Sequence, residues 1–265
     1  MTAVNLSKLN HEIYELLDFF TRPEEFHSRL REFFTFYSVQ VFRSGQLIIT
    51  NSRTQKYHLP LLVVLQLERL TRKRCQETPD AAIRLFDELV TDRYEEITSF
   101  SASILGSMPV SHAQTILSRI QQQGILWQQD DRLLDFLQRS SSSMIVYAPQ
   151  TWLDFLEEAL PVALEKTPRY GLLLLQTSIM NDAFVNIPFF YRHFLLFFPK
   201  ANLRYRHTYL AIINELYQRY PTESLHFFEQ SLLMVDNETT KRIFRKFMPT
   251  LPEASRLRFR ELLKR

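Results

Sequence analysis

The stretch Thr78-Pro79-Asp80-Ala81-Ala82-Ile83-Arg84-Leu85-Phe86-Asp87-Glu88-Leu89, followed after a short interval by Ser101-Ala102-Ser103-Ile104-Leu105-Gly106, reads as a pair of short helices. Thr-Pro-Asp is a helix start: proline in the first turn gives up an N–H that has no intrahelical partner there. Ile83, Phe86 and Leu89 then recur at three-residue spacing and share a face. Asp92 with Glu95 three residues on has the spacing of a capping box for a second helix. Ser111 with Gln114 repeats that spacing before a third, through Ile116 and Ile120.

The same pattern extends in both directions. Ile13, Leu16, Leu17 and Phe20 make one apolar face, and Phe26, Leu30, Phe33, Phe34 and Tyr37 make another after Pro23. It resumes over Leu61 to Leu70, and further starts fall near Pro149, Thr167-Pro168, Pro188, Thr222 and Pro252. About thirteen helices result, or six to seven hairpins. A hairpin of this size cannot bury its apolar face alone, whereas stacking gives each one two neighbours to bury against. The expected fold is therefore all-α, an α-solenoid of about six to seven antiparallel helix hairpins forming a HEAT/ARM-like superhelix. A closed bundle, the competing architecture, uses fewer and longer helices.

The register lapses over residues 39–58, where Gly45, Asn51 and Ser52 separate short runs such as Leu47-Ile48-Ile49-Thr50. A loop or a small two-stranded excursion fits there. The expected organisation is an amino-terminal helical cap over residues 1–58, with 39–58 irregular, and a single continuous domain of helical repeats over 59–265. The serines from Ser140 to Ser143 suggest a loop between stacked pairs.

Composition narrows the function classes. With 45% hydrophobic and 23% charged residues the chain has an ordinary globular balance. Only four glycines occur, too few for the phosphate loops and dinucleotide turns that depend on them. The single cysteine, Cys75, cannot form an internal disulfide. The start of the chain lacks a basic region followed by an apolar run, and no stretch reaches the ~18 apolar residues of a membrane span. The expectation is a cytoplasmic protein without membrane contact, in which the sequon Asn237-Glu238-Thr239 is a chance occurrence. Histidines are scattered, so neither a metal site nor a small-molecule cofactor is expected. Five Phe-Phe pairs, such as Phe189-Phe190 and Phe227-Phe228, suit broad helix faces that touch two neighbours. Trp152 sits among them as a core residue.

The Asp80–Leu89 and Ser101–Gly106 segments resemble the paired helices of HEAT repeats, as does the run from Glu223 through Ile243 to Leu262. Among HEAT proteins, the length and hairpin count are similar to the bacterial DNA alkylation repair group of alkylpurine DNA glycosylase-like proteins. That resemblance implies a basic concave groove that wraps DNA, with an aspartate one helical turn after a tryptophan. Trp127 and Asp131 have that four-residue spacing, which on a helix puts both on one face. In the implied chemistry Asp131 stabilises positive charge developing on the sugar as a cationic base departs, held by aromatic faces.

Charge is segmented: residues 76–165 carry 5 basic against 14 acidic side chains, while both ends are basic. A DNA-wrapping surface needs a continuous basic track, because affinity comes largely from neutralised phosphates. The best nucleic-acid-contacting candidates are Lys200, Arg204, Tyr205, Arg206 and His207, with Arg242, Arg245 and Lys246 sharing a helix face. A solvated outer face is the simpler reading of each cluster taken alone. The leading expectation is a non-catalytic scaffold that holds a protein or peptide partner on its concave face. The alternative is a DNA-binding relative of the alkylation repair group, active or catalytically silent.

Overall fold

The computed structural model describes residues 5–38, 55–127 and 131–264. Fifteen α-helices run through them: α1 (Leu6–Leu17), α2 (Pro23–Tyr37), α3 (Leu61–Glu77), α4 (Pro79–Leu89), α5 (Glu95–Gly106), α6 (Ala113–Leu126), α7 (Leu133–Ser140) and α8 (Ser142–Tyr147), then α9 (Pro149–Lys166), α10 (Pro168–Met180), α11 (Ile187–Phe197), α12 (Arg206–Arg219), α13 (Pro221–Met234), α14 (Glu238–Phe247) and α15 (Glu253–Leu262). The described residues contain no β-strand, only an isolated bridge between Gln55 and Tyr94. The protein is all-α. Most of the irregular segment expected over residues 39–58 lies outside the described residues, which resume at Gln55.

Four joints between helices use one device. Thr78, Ala148, Thr167 and Tyr220 each precede a proline, and each adopts φ near −138° with ψ near 60°. Proline excludes its predecessor from the helical region, so the first helix must stop there. The corner residue still donates its N–H to the carbonyl four back, as from Thr78 to Arg74 and from Tyr220 to Leu216. Its own carbonyl opens the next helix, accepting from Ala82 in the first case and Ser224 in the last. One residue thus ends one helix and starts another.

The chain divides into two compact units, one of residues 1–120 with 135–148 and the other of residues 121–134 with 149–265. In the first, α1 packs on α2 and α3, α2 on α4, and α3 and α4 on each other and on α5. In the second, α9 packs on α10 and α11, α10 on α11 and α12, α12 on α13 and α14, and α13 on α15. Helices α1, α3, α9, α10 and α12 thus each meet both their successor and the helix after that, whereas α2 and α13 pack forward only on the second helix along. A set of polar links has the matching period, joining residues 32 to 42 apart: Arg119 to Asp87, Ser103 to Glu68, Ser99 to Asp135, Arg192 to Glu157, Asn237 to the Pro199 carbonyl and Thr240 to the Phe198 carbonyl.

Aromatic rings fill the second unit's core. Phe194, Phe198, Tyr209, Phe227, Phe228 and Phe244 form a connected cluster with centroids 4.7 to 6.4 Å apart. Trp152 is fully buried and donates its indole N–H to Ser178 Oγ at 3.0 Å, a core role as expected.

Three local expectations are corrected. Asp92 does not build a capping box: Tyr94 is the residue before α5, and Asp92 accepts its N–H while turning its other oxygen to His27 and Arg31. Ser111 lies inside a 3-10 turn, Val110–His112, ahead of α6. The serines from Ser140 to Ser143 are not a loop, because only Ser141 interrupts α7 and α8. The Ser140 and Ser141 hydroxyls are absorbed by the Phe136 and Leu137 carbonyls one turn back.

Candidate binding surfaces

Trp127 and Asp131 do not share a helix. Trp127 is in a turn after α6 ends at Leu126, and Asp131 is in a turn before α7 begins at Leu133. The four-residue spacing therefore fails to align them, because α6 has ended before Trp127 and α7 begins only after Asp131. Trp127 is half-buried with the Arg132 guanidinium over its ring, 4.8 Å from the centroid. Asp131 is fully exposed and meets Arg169 at 3.1 Å. A carboxylate in open solvent, facing a guanidinium, lacks the low-dielectric setting in which charge stabilisation is strong.

The predicted basic residues of the second unit separate into committed and free ones. Lys200 pairs with Glu165. Arg206 Nε lies 3.3 Å from His207 Nε2, and Tyr205 is half-buried. Arg242 and Arg245 both reach Glu238, at 3.6 and 2.6 Å, and Arg245 also donates to the Leu263 carbonyl. Those cations hold Glu238 below the usual carboxylate range, chiefly through the Arg245 hydrogen bond. Arg204 and Lys246 are exposed and pair with no carboxylate among the described residues. Since α12 packs on α14, the basic stretch of α14 neighbours the helix into which the first stretch leads, although only Arg206 and His207 of that stretch lie on α12 itself. Asn237, the sequon asparagine, is occupied at both ends of its amide: it caps α14 and donates to Pro199.

Three polar clusters were not legible in the sequence because their members are far apart in it. In the first unit His27 lies between two carboxylates, with Nδ1 2.7 Å from Glu88 and Nε2 2.6 Å from Asp92. Arg31 donates to Asp92 at 2.7 and 3.0 Å. Burial would push the Asp92 carboxyl up, but the Tyr94 N–H, His27 and Arg31 together hold it below its ordinary value. Also in the first unit, Arg139 bridges Glu68 and Asp135, whose other partners are Ser103 and Ser99. In the second unit a cleft is lined by Gln150, Asp154, Glu157, Asn186, Phe189 and Arg192. Glu157 there meets Arg192 and buried His193. Desolvation lowers the His193 pKa against the pull of Glu157, which favours the neutral ring.

The two clusters of the first unit are networks of paired charges, whereas in the third the buried His193 Nδ1 finds no hydrogen-bond partner among the described residues. Among the described residues no group of three His, Cys, Asp or Glu side chains is placed to hold a metal ion, and no helix is long and apolar enough to cross a membrane. No protein-family model, curated protein or solved structure matches the chain.

Proposed function

We propose that this protein is a non-catalytic binding scaffold, built from stacked helix hairpins in the manner of an α-solenoid, that holds a protein or peptide partner. The observation that carries the reading is the packing pattern: α1, α3, α9, α10 and α12 each meet their successor and the one after, with polar links recurring at 32 to 42 residues. Within each unit such an arrangement buries a core between near neighbours while leaving an edge of most helices outward, so it offers an extended surface rather than a pocket.

Selection of a displayed peptide library on the full chain, followed by hydrogen exchange on the selected complex, tests this. Protection should fall along neighbouring helices of one layer, such as α1, α3 and α5. Failure to select any peptide would reject the scaffold reading.

A DNA-binding function of the alkylation-repair type is the second reading, favoured by exposed Arg204 and Lys246. A salt-sensitive mobility shift with duplex DNA, abolished in R204E/R206E, would establish it. Base release lost in D131N would be needed in addition to make the protein an enzyme. On the leading reading neither occurs.

A further inference from the structure

Helix α3 carries an outward strip whose two halves differ in chemistry. Leu61, Leu62 and Leu65 are 71%, 46% and 53% exposed, although the same helix buries Val63, Leu67 and Cys75 on its other side. Arg69 and Arg72 continue the strip, both exposed. At 100° per residue the five positions fall within an arc of about 100°, and from Leu61 to Arg72 they span about 17 Å. Neither arginine makes a salt bridge or a side-chain hydrogen bond to a described residue. The two carboxylates of α3 are engaged elsewhere: Glu68 is held by Arg139 and Ser103, and Glu77 by Lys73 and Arg74. The helix thus leaves three leucines exposed and two guanidiniums outward with no carboxylate among the described residues to neutralise them.

We infer that this face of α3 docks an acidic amphipathic segment of a partner protein, leucines against the amino-terminal half and carboxylates against Arg69 and Arg72. The inference rests on the scaffold reading and names the partner's chemistry. Charge complementarity selects the occupant, since an unpaired arginine pair favours carboxylates in bidentate geometry. A second copy of the chain fits poorly. Antiparallel pairing of two such strips sets leucine against arginine, and parallel pairing sets arginine against arginine. A membrane surface also fits poorly, because a helix lying on lipid needs apolar residues along its whole contact with cations flanking them. Here the two kinds of residue follow one another along the axis.

The test uses the full chain and a fluorescent helical peptide of about sixteen residues, leucines on one face of its first half and glutamates on that face of its second. A control peptide carries lysine for each glutamate. The wild type should bind the acidic peptide at least about tenfold more tightly than the basic one, and R69E/R72E should invert that order. L61S/L65S should weaken binding of either peptide, and because these side chains are exposed, the thermal melt followed by circular dichroism should not move. If the acidic peptide binds but neither double variant changes its affinity, the α3 site is wrong while the scaffold reading stands. If neither this peptide nor any from a displayed library binds, both fall. Binding to phosphatidylserine vesicles in place of peptide would overturn the inference in favour of a lipid surface. Self-association abolished by L61S/L65S would overturn it in favour of a second copy.

Discussion

Gly124 sits where α6 meets the ring of Tyr170: a methyl group built on it would lie 2.1 Å from a ring carbon. The ring is itself held in the core, so the clash cannot be relieved by a flexible side-chain end. Gly124→Ala should therefore destabilise the protein by about 2 kcal/mol in urea unfolding, even though alanine is the better helix former. A neutral or stabilising result would show that α6 can move away. In the sequence Gly124 reads as a helix end, because its partner lies 46 residues further along and no local pattern reveals it. Asp92 teaches the same lesson from the polar side. Its spacing to Glu95 suggests a cap, but its carboxylate is spent on His27 and Arg31, more than 60 residues away. Its folded-state pKa lies below that of an unfolded aspartate, so the ionised form stabilises the fold above the ordinary aspartate range. That contribution fades as pH falls through the unfolded value toward the depressed one. Asp92→Asn should cost about 2 kcal/mol at pH 7, with the gap from wild type narrowing from about pH 5 downward. A gap independent of pH would mean the charge on Asp92 does not matter.

At the scale of single elements the sequence is most legible where proline acts. The restriction it places on its predecessor is local, so the corners at Thr78, Ala148, Thr167 and Tyr220 can be read directly as starts at Pro79, Pro149, Pro168 and Pro221. Pro161 shows the limit of that rule. It lies inside α9, where burial of Trp152, Phe155, Leu156, Ala159, Leu160 and Ala163 outweighs the lost N–H. Helix ends closed from a distance are not legible at all. Arg219, on α12, donates to the carbonyls of Ile179 and Asn181 and meets Asp182 at 3.3 Å, satisfying the last turn of α10. A cation over unpaired carbonyls also complements the negative end of the helix dipole. Arg219→Gln should lower stability by about 1 kcal/mol and speed amide exchange in the last turn of α10, leaving the end of α9 unaffected. Unchanged exchange at Ile179 to Asn181 would show that the cap is idle.

At the scale of the molecule, composition and periodicity together specify a helical fold outside residues 39–58, since scarce glycine and recurring three- and four-residue spacing disfavour hairpin strands there. They do not say which helices end up central, because that depends on how many neighbours each acquires. In α10, every residue from Tyr170 to Ile179 is buried, including Gln176, Thr177 and Ser178. In α15, Phe259 is the only buried residue, and α13 is its main helical neighbour. When each helix packs only on near neighbours, opening starts where neighbours are fewest, and protection reflects position rather than intrinsic helix propensity. The local sequences would suggest no such gap, as α15 is rich in good helix formers (Glu, Ala, Arg, Leu) whereas α10 contains Gly171, Thr177 and Ser178. Native-state hydrogen exchange on the full chain should therefore find the amides of α10 slowest and those of α15 among the fastest, by several orders of magnitude. Equal protection of the two would mean that the helices unfold as one cooperative block, and the nearest-neighbour account of this fold would have to be given up.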